Sequence, residues 1–374
     1  MLIELDDRIG NVLEKISNVN DTEAFILDKL FELMYEGKQI IYASRYLFKN
    51  LLSCKYLNVR SKQLIDYILN HYNEIYNACY FKVKYKTIIY PKSCNIEKKD
   101  DCFYLPLENA SDISTSILST ENPTDFDFYI NISKFIENSE NNPVITFSLN
   151  NCAYGGGSAE QFLKSMHKPG VILFAIADSD KKFNDDQLGN TAKIVKNYID
   201  TNCDTMVYHI LNFIEKENLV PLDFYIAIAQ NDKQELLKCI RGFYKNDEFM
   251  RYYDIKEGVK LKRLKENNNK WNNLYLPFLD ECKKAGIYNM NATSDEDKVV
   301  SGIGNKLANI TIDSILNPKS TQKISKAQKN NINILKSDIF SHIPDYIMNE
   351  WETIYKYIFD FGCVLKQHHN SFVS

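Results

Sequence analysis

Two carboxylates two residues apart, Asp178 and Asp180, close an apolar run, Val-Ile-Leu-Phe-Ala-Ile-Ala, at 171–177. Acids at the tip of a buried strand need partners, because an isolated charge in apolar surroundings is costly. A divalent cation is one such partner. Mg²⁺ takes one or two carboxylates and completes its shell with water and phosphate oxygens, and paired ions of this kind can clamp an in-line phosphoryl displacement. The pattern therefore nominates Asp178 and Asp180 as ligands of Mg²⁺ or Mn²⁺. The plainer alternative is a pair of turn formers whose side chains bond their own backbone.

The chain's glycine cluster, Gly155, Gly156 and Gly157, precedes a helical segment, Gly-Ser-Ala-Glu-Gln-Phe-Leu-Lys-Ser-Met-His. Glycines there can bring backbone N–H groups close to a phosphate at a helix N-terminus, or can simply permit a tight turn. Ser158 to Gln161 reads as a capping box. Glu160 within it is either a first-turn acid facing the helix dipole or a further metal ligand. Glu215 and Glu217 follow the next apolar run and can complete a site begun by the two aspartates. Lys181, Lys182 and Lys256 can meet a phosphate, although each alone also reads as a surface lysine.

These residues need a scaffold that gathers them. Residues 1–80 carry i, i+3, i+4 apolar spacing and read as helices, followed by alternating, β-branched Phe-Lys-Val-Lys-Tyr-Lys-Thr-Ile-Ile-Tyr at 81–90. The stretch 91–125 is polar, with no clean period, and reads mostly as loop. From 126, strand-like and helical segments alternate: 126–139 as strand or short helix, the run opened by Pro143 as strand, 157–167 as helix, 171–177 as strand, 189–202 as helix and 205–214 as strand. Alternation with near-continuous apolar strands indicates parallel βαβ units. Beyond Pro221 the pattern returns to helix. The expected class is mixed α/β, a small parallel-sheet core flanked by largely helical regions, with units at 1–125, 126–230 and 231–374. Parallel strands with right-handed crossovers put their C-terminal ends on one edge, where α/β folds hold ligands. The glycine turn, Asp178/Asp180 and the 215–218 segment then share that edge.

The strand ending in Asp178-Ser179-Asp180 resembles the Toprim-like domains of anti-phage and overcoming-lysogenisation-type nucleases. The following strand, leading into Glu217-Asn218, is similar to that of defence-associated members. The resemblance covers 153–221 and implies a Mg²⁺- or Mn²⁺-dependent phosphodiesterase acting on DNA or RNA, with Asp178, Asp180 and Glu217 as metal ligands. Such domains carry a Glu and then a Gly at the end of their first strand. That place falls here on Tyr154-Gly155, with Glu160 beyond it.

Composition narrows the alternatives. The 374 residues carry a formal net charge of −4, so no overall basic field announces nucleic acid; the local basic runs are 259–271 and 84–92. Nine cysteines without a CxxC pair, and an acidic start, Met-Leu-Ile-Glu-Leu-Asp-Asp, where a secretory leader would be apolar, point to a cytoplasmic protein with reduced thiols. No apolar run approaches the ~18 residues of a membrane span. Cys152 and Cys203 read as packing residues, and His209 as core. His368 and His369 lie in the tail, and the six histidines are too scattered for a zinc motif. Two rivals to a nuclease stand: a non-catalytic scaffold or regulatory subunit with a degenerate core, and a glycosyltransferase whose DxD holds a nucleotide-sugar. Under either enzyme or scaffold, aromatic faces such as 350–362 suit a protein partner or a second copy.

Overall fold

The computed structural model describes residues 1–18, 21–91, 95–140, 144–202, 204–266 and 268–366. Pro143, Cys203, His368 and His369, together with Lys92 and Asn267 of the two basic runs, fall outside these. The described cysteines are all free thiols.

The N-terminal region is less helical than its periodicity predicts. Strands β1 (Leu2–Leu5), β2 (Ile40–Tyr42), β3 (Lys86–Tyr90), β4 (Glu97–Lys99) and β5 (Cys102–Pro106) form one sheet in the order β2-β1-β3-β5-β4, parallel except for the β4–β5 pair. The apolar run at 22–52 conceals a break: the helix Thr22–Tyr35 is followed by Gly37 at φ +67, a left-handed position that glycine adopts without strain. Ile40–Tyr42, β-branched and aromatic, then pairs with β1.

A second sheet carries the candidate site residues. Strands β6 (Ile117–Thr120), β8 (Asn150–Ala153), β9 (Leu173–Ala177) and β10 (Met206–Ile210) lie in the order β10-β9-β6-β8, all parallel. Every residue of β9 is buried, as a central strand covered on both faces requires. The helices Ala159–Met166 and Asn190–Asn202 cover one face, packing Leu163, Ala192 and Val195 with Leu173, Ala175 and Tyr154. The helices Asp125–Ser139 and Asp345–Gly362 cover the other. The C-terminal helix thus belongs to the core of the central sheet. A short strand β7 (Ile145–Phe147) pairs antiparallel with β13 (Cys363–Leu365), and the N-terminal ammonium donates to the Cys363 carbonyl at 3.1 Å. β11 (Gly258–Lys260) and β12 (Lys298–Ser301) make a small antiparallel ribbon.

Three expectations are corrected here. The stretch 91–125 is not mostly loop: it holds β4, β5 and β6, so the boundary expected after 125 cuts off the first strand of the central sheet. The 126–139 segment is a full helix, because Phe128, Tyr129, Ile132 and Ile136 recur at helical spacing on a buried face. Of the run opened by Pro143, the described part 144–149 does not enter the central sheet; β8, four residues of modest hydrophobicity at its edge, takes that place.

Candidate functional site

In the central sheet β6 connects to β8 on one side, and the chain then crosses back over β6 to reach β9 and β10 on the other. The strand order therefore reverses between β6 and β9, and the crevice beyond their C-terminal ends is where open α/β sheets bind ligands. Glu121 follows β6 directly, and Asp178 follows β9. Sequence reasoning missed Glu121 and Asp125. Their signal, Ser-Ile-Leu-Ser-Thr-Glu-Asn-Pro, is a short β-branched strand closed by an acid, hidden by its serines and threonines.

The two aspartates of the DxD reach one edge because Ser179 between them turns inward, fully buried, its Oγ donating to the Phe213 carbonyl at 2.5 Å. Asp178 Oδ1 accepts the Lys216 backbone N–H at 3.1 Å. Asp180, on the exposed side, sits at φ +55, its N–H donating to the Ile214 carbonyl at 2.9 Å. Gly189 makes room for it: a Cβ there would lie 2.0 Å from Asp180 Oδ2 and 2.6 Å from Asp180 Cβ. Gly189→Ala is therefore expected to displace the Asp180 side chain. Any activity that needs Asp180 should fall as far as in Asp180→Ala, with little change in thermal midpoint; full activity in Gly189→Ala would show that Asp180 has freedom to move.

Glu215 and Glu217 are brought in by the turn Lys216–Leu219, both nearly fully buried. Lys216 Nζ donates to Glu217 Oε1 at 3.0 Å and to Asn309 Oδ1 at 2.9 Å, and lies 3.3 Å from Asp125 Oδ1. Lys256 is paired with Glu215 and stands 3.8 Å from Glu217 Oε2. Glu215 Oε1 and Glu217 Oε2 are buried and accept no hydrogen bond from the described residues. Burial, Glu217 and Asp254 push the Glu215 carboxyl up to about 10 against the pull of Lys256. Burial, then the charges of Glu217 and Asp125, hold Asp178 well above the usual carboxylate range. Glu121 is raised by burial and by Asp180 and Asp125.

The glycine turn also reaches this edge. Gly155 sits at φ +59, and a Cβ on Gly156 would stand 3.0 Å from Glu121 Oε1. A Cβ on Gly157 would meet nothing within 4 Å. Tyr154 is no site residue: it is buried, and its hydroxyl donates to the Ile176 carbonyl at 2.7 Å. The capping box is absent, since Ser158 Oγ donates back to the Tyr154 carbonyl. Glu160 lies apart on the solvent side of its helix, paired with Lys164 at 2.7 Å. Lys181 turns to the Asn184 carbonyl, whereas Lys182 lines a neighbouring cleft.

Among the described residues, no three His, Cys, Asp or Glu side chains come close enough together to hold a metal ion, and no helix is long and apolar enough to cross a membrane. Compared with protein-family models, curated proteins and solved structures, the chain matches none significantly.

Proposed function

We propose that this chain is a metal-dependent nuclease on a Toprim-like unit, cutting phosphodiester bonds of DNA or RNA. The observation that carries the reading is the gathering of Glu121, Asp125, Asp178 and Glu217 at the switch point, where Glu217, Asp125 and Glu121 all raise the Asp178 carboxyl. In this reading Glu121 is the first-strand glutamate, because β6 and not β8 is the first strand of the sheet. It is followed by Asn122 rather than glycine.

The donors are carboxylate oxygens, two of them buried without a hydrogen-bond donor. They suit a hard cation that keeps most of its water, Mg²⁺ or Mn²⁺, and not a closed three-carboxylate cage. Asp178 and Asp180 are the candidate ligands, with Glu217 deeper and Glu121 across the crevice. A bound ion would offset charge on the scissile phosphate. The glycine turn leaves open backbone for the phosphate to approach. Lys216 and Lys256 hold Asp125, Glu215 and Glu217 in place.

Those two lysines also favour a second reading, a non-catalytic scaffold, because they already offset part of the acidic charge. The test is Mn²⁺ binding by calorimetry, together with cleavage of plasmid DNA and single-stranded RNA in Mg²⁺, Mn²⁺ or chelator. Binding with chelator-sensitive cleavage supports the nuclease. Neither binding nor cleavage would sink it in favour of the scaffold.

A further inference from the structure

Beside the acidic edge lies a cleft of about 180 Å³, lined by Lys182, Tyr252, Asp254, Lys260, Arg263 and Trp271, among others. It adjoins the site through two links. Lys182 is two residues beyond Asp180, and the carbonyl of Ile214, which lines the cleft, accepts the Asp180 N–H. We propose that this cleft is a subsite for one unpaired nucleotide, with Lys182 and Arg263 receiving its phosphate, so that the substrate is a single strand rather than a duplex. The inference rests on the nuclease reading and names the substrate class of that same site.

Charge is the first argument. Lys182 is half-buried, and its ammonium has no hydrogen-bond or ion-pair partner among the described residues, while Arg263 engages only Glu266, through Nη1 at 2.8 Å. Of the acids that line the cleft, Asp254 accepts the Glu257 N–H and Glu257 pairs with Lys298 at 2.6 Å, so neither pairs with Lys182. The free Lys182 ammonium shares the cleft with a guanidinium that commits only Nη1, and together they can hold a phosphate, whose oxygens accept charge-assisted hydrogen bonds.

Shape is the second. The cleft is smaller than the ~300–1,000 Å³ of sites for drug-sized ligands, so it takes one small unit and excludes a double helix. Its wall includes Trp271 and Tyr275, stacked on each other at 4.5 Å and only 6% and 2% exposed, so they form an apolar wall that an unpaired base can reach and a paired base cannot. The Tyr275 hydroxyl lies 3.1 Å from the Lys182 carbonyl and 2.6 Å from the Tyr252 carbonyl, which fixes the Lys182 loop against this wall.

The test measures fluorescence anisotropy of the full chain with labelled short oligo-dT and oligo-U and with a hairpin duplex, Ca²⁺ being the only divalent ion. The single strands should bind at least about tenfold tighter than the duplex. Lys182→Ala/Arg263→Ala should lose at least about tenfold on the single strands, with the salt dependence of log K shallower by about 0.7, the value for one lost phosphate contact. Lys182→Arg should retain binding, and unchanged thermal midpoints exclude misfolding. Tighter duplex binding, no binding of either probe, or a double variant that binds like wild type would overturn the subsite. Parallel Mn²⁺ cleavage assays separate the two readings. Cleavage unaffected by the double variant overturns the subsite and leaves the nuclease. Single-strand binding lost in the double variant, without cleavage by wild type, leaves the subsite and overturns the nuclease.

Discussion

Asp178→Asn is expected to make the protein more stable and, in the same step, to lower metal-dependent cleavage by about 10²–10³-fold or more. Asparagine keeps the shape of the side chain and an oxygen to accept the Lys216 N–H. It removes one negative charge from a cluster of seven carboxylates (Glu121, Asp125, Asp178, Asp180, Glu215, Glu217 and Asp254) facing two lysines, Lys216 and Lys256. The Asp178 carboxyl is raised in the folded chain, mainly by burial and then by Glu217. Between its unfolded value of ~3.9 and that raised value, the native state holds the proton more tightly than the unfolded state. Wild-type stability therefore falls as pH rises through this range. The variant lacks this loss, so its advantage should vanish near pH 4 and grow toward pH 8. Each kcal/mol gained would raise the melting temperature of a 374-residue chain by about 1–2 °C. Calorimetric scans at both pH values, with and without Mn²⁺, check this. Equal gains at both would point to a packing effect, and an undiminished Mn²⁺-induced rise in the variant would remove Asp178 from the ligand set.

That combination of lost function and gained stability is expected of residues kept for chemistry against the fold's preference. It also bears on what was legible in the sequence. The DxD strand was legible because five consecutive buried apolar residues must be a central strand, and acids after it must lie at the sheet's edge. Glu121 was not, because β6 owes its burial to tertiary packing: Ser119 and Thr120 are almost wholly covered although polar. Periodicity cannot register such a strand, whereas Tyr154, which the resemblance aligns with a glutamate, is a buried tyrosine at the end of an edge strand. Glu160 was drawn in by its nearness in sequence to the glycines, yet its helix turns it to solvent beside Lys164. Asp254 and the aromatic cleft come from a region whose contact with the switch point no local pattern encodes. The first sheet was masked for a related reason, since a three-residue strand such as Ile40–Tyr42 is too short to break the helical spacing around it.

Trp351→Ala should destabilise the chain by about 3–5 kcal/mol, the usual cost of deleting a fully buried tryptophan. Trp351 is 0% exposed, packed edge-on to Phe135 and Phe224. Its Nε1–H donates to the Leu219 carbonyl at 3.0 Å. That carbonyl ends the turn carrying Lys216 and Glu217, so the tryptophan ties the C-terminal helix to the acidic edge. Its neighbour Glu350 makes a second tie, accepting from His209 Nε2 and from the backbone and side chain of Asn212. Urea unfolding should show the loss as a lower midpoint at unchanged slope. Trp351→Phe separates the two roles, because it keeps most of the apolar volume and removes the donor. If the hydrogen bond positions the turn, the phenylalanine variant should lose about 1–3 kcal/mol for the orphaned carbonyl, exchange its amides at 216–219 faster, and bind Mn²⁺ more weakly. Wild-type exchange and Mn²⁺ affinity in that variant would reduce Trp351 to a packing residue, leaving Glu350 as the tie that holds the edge in place.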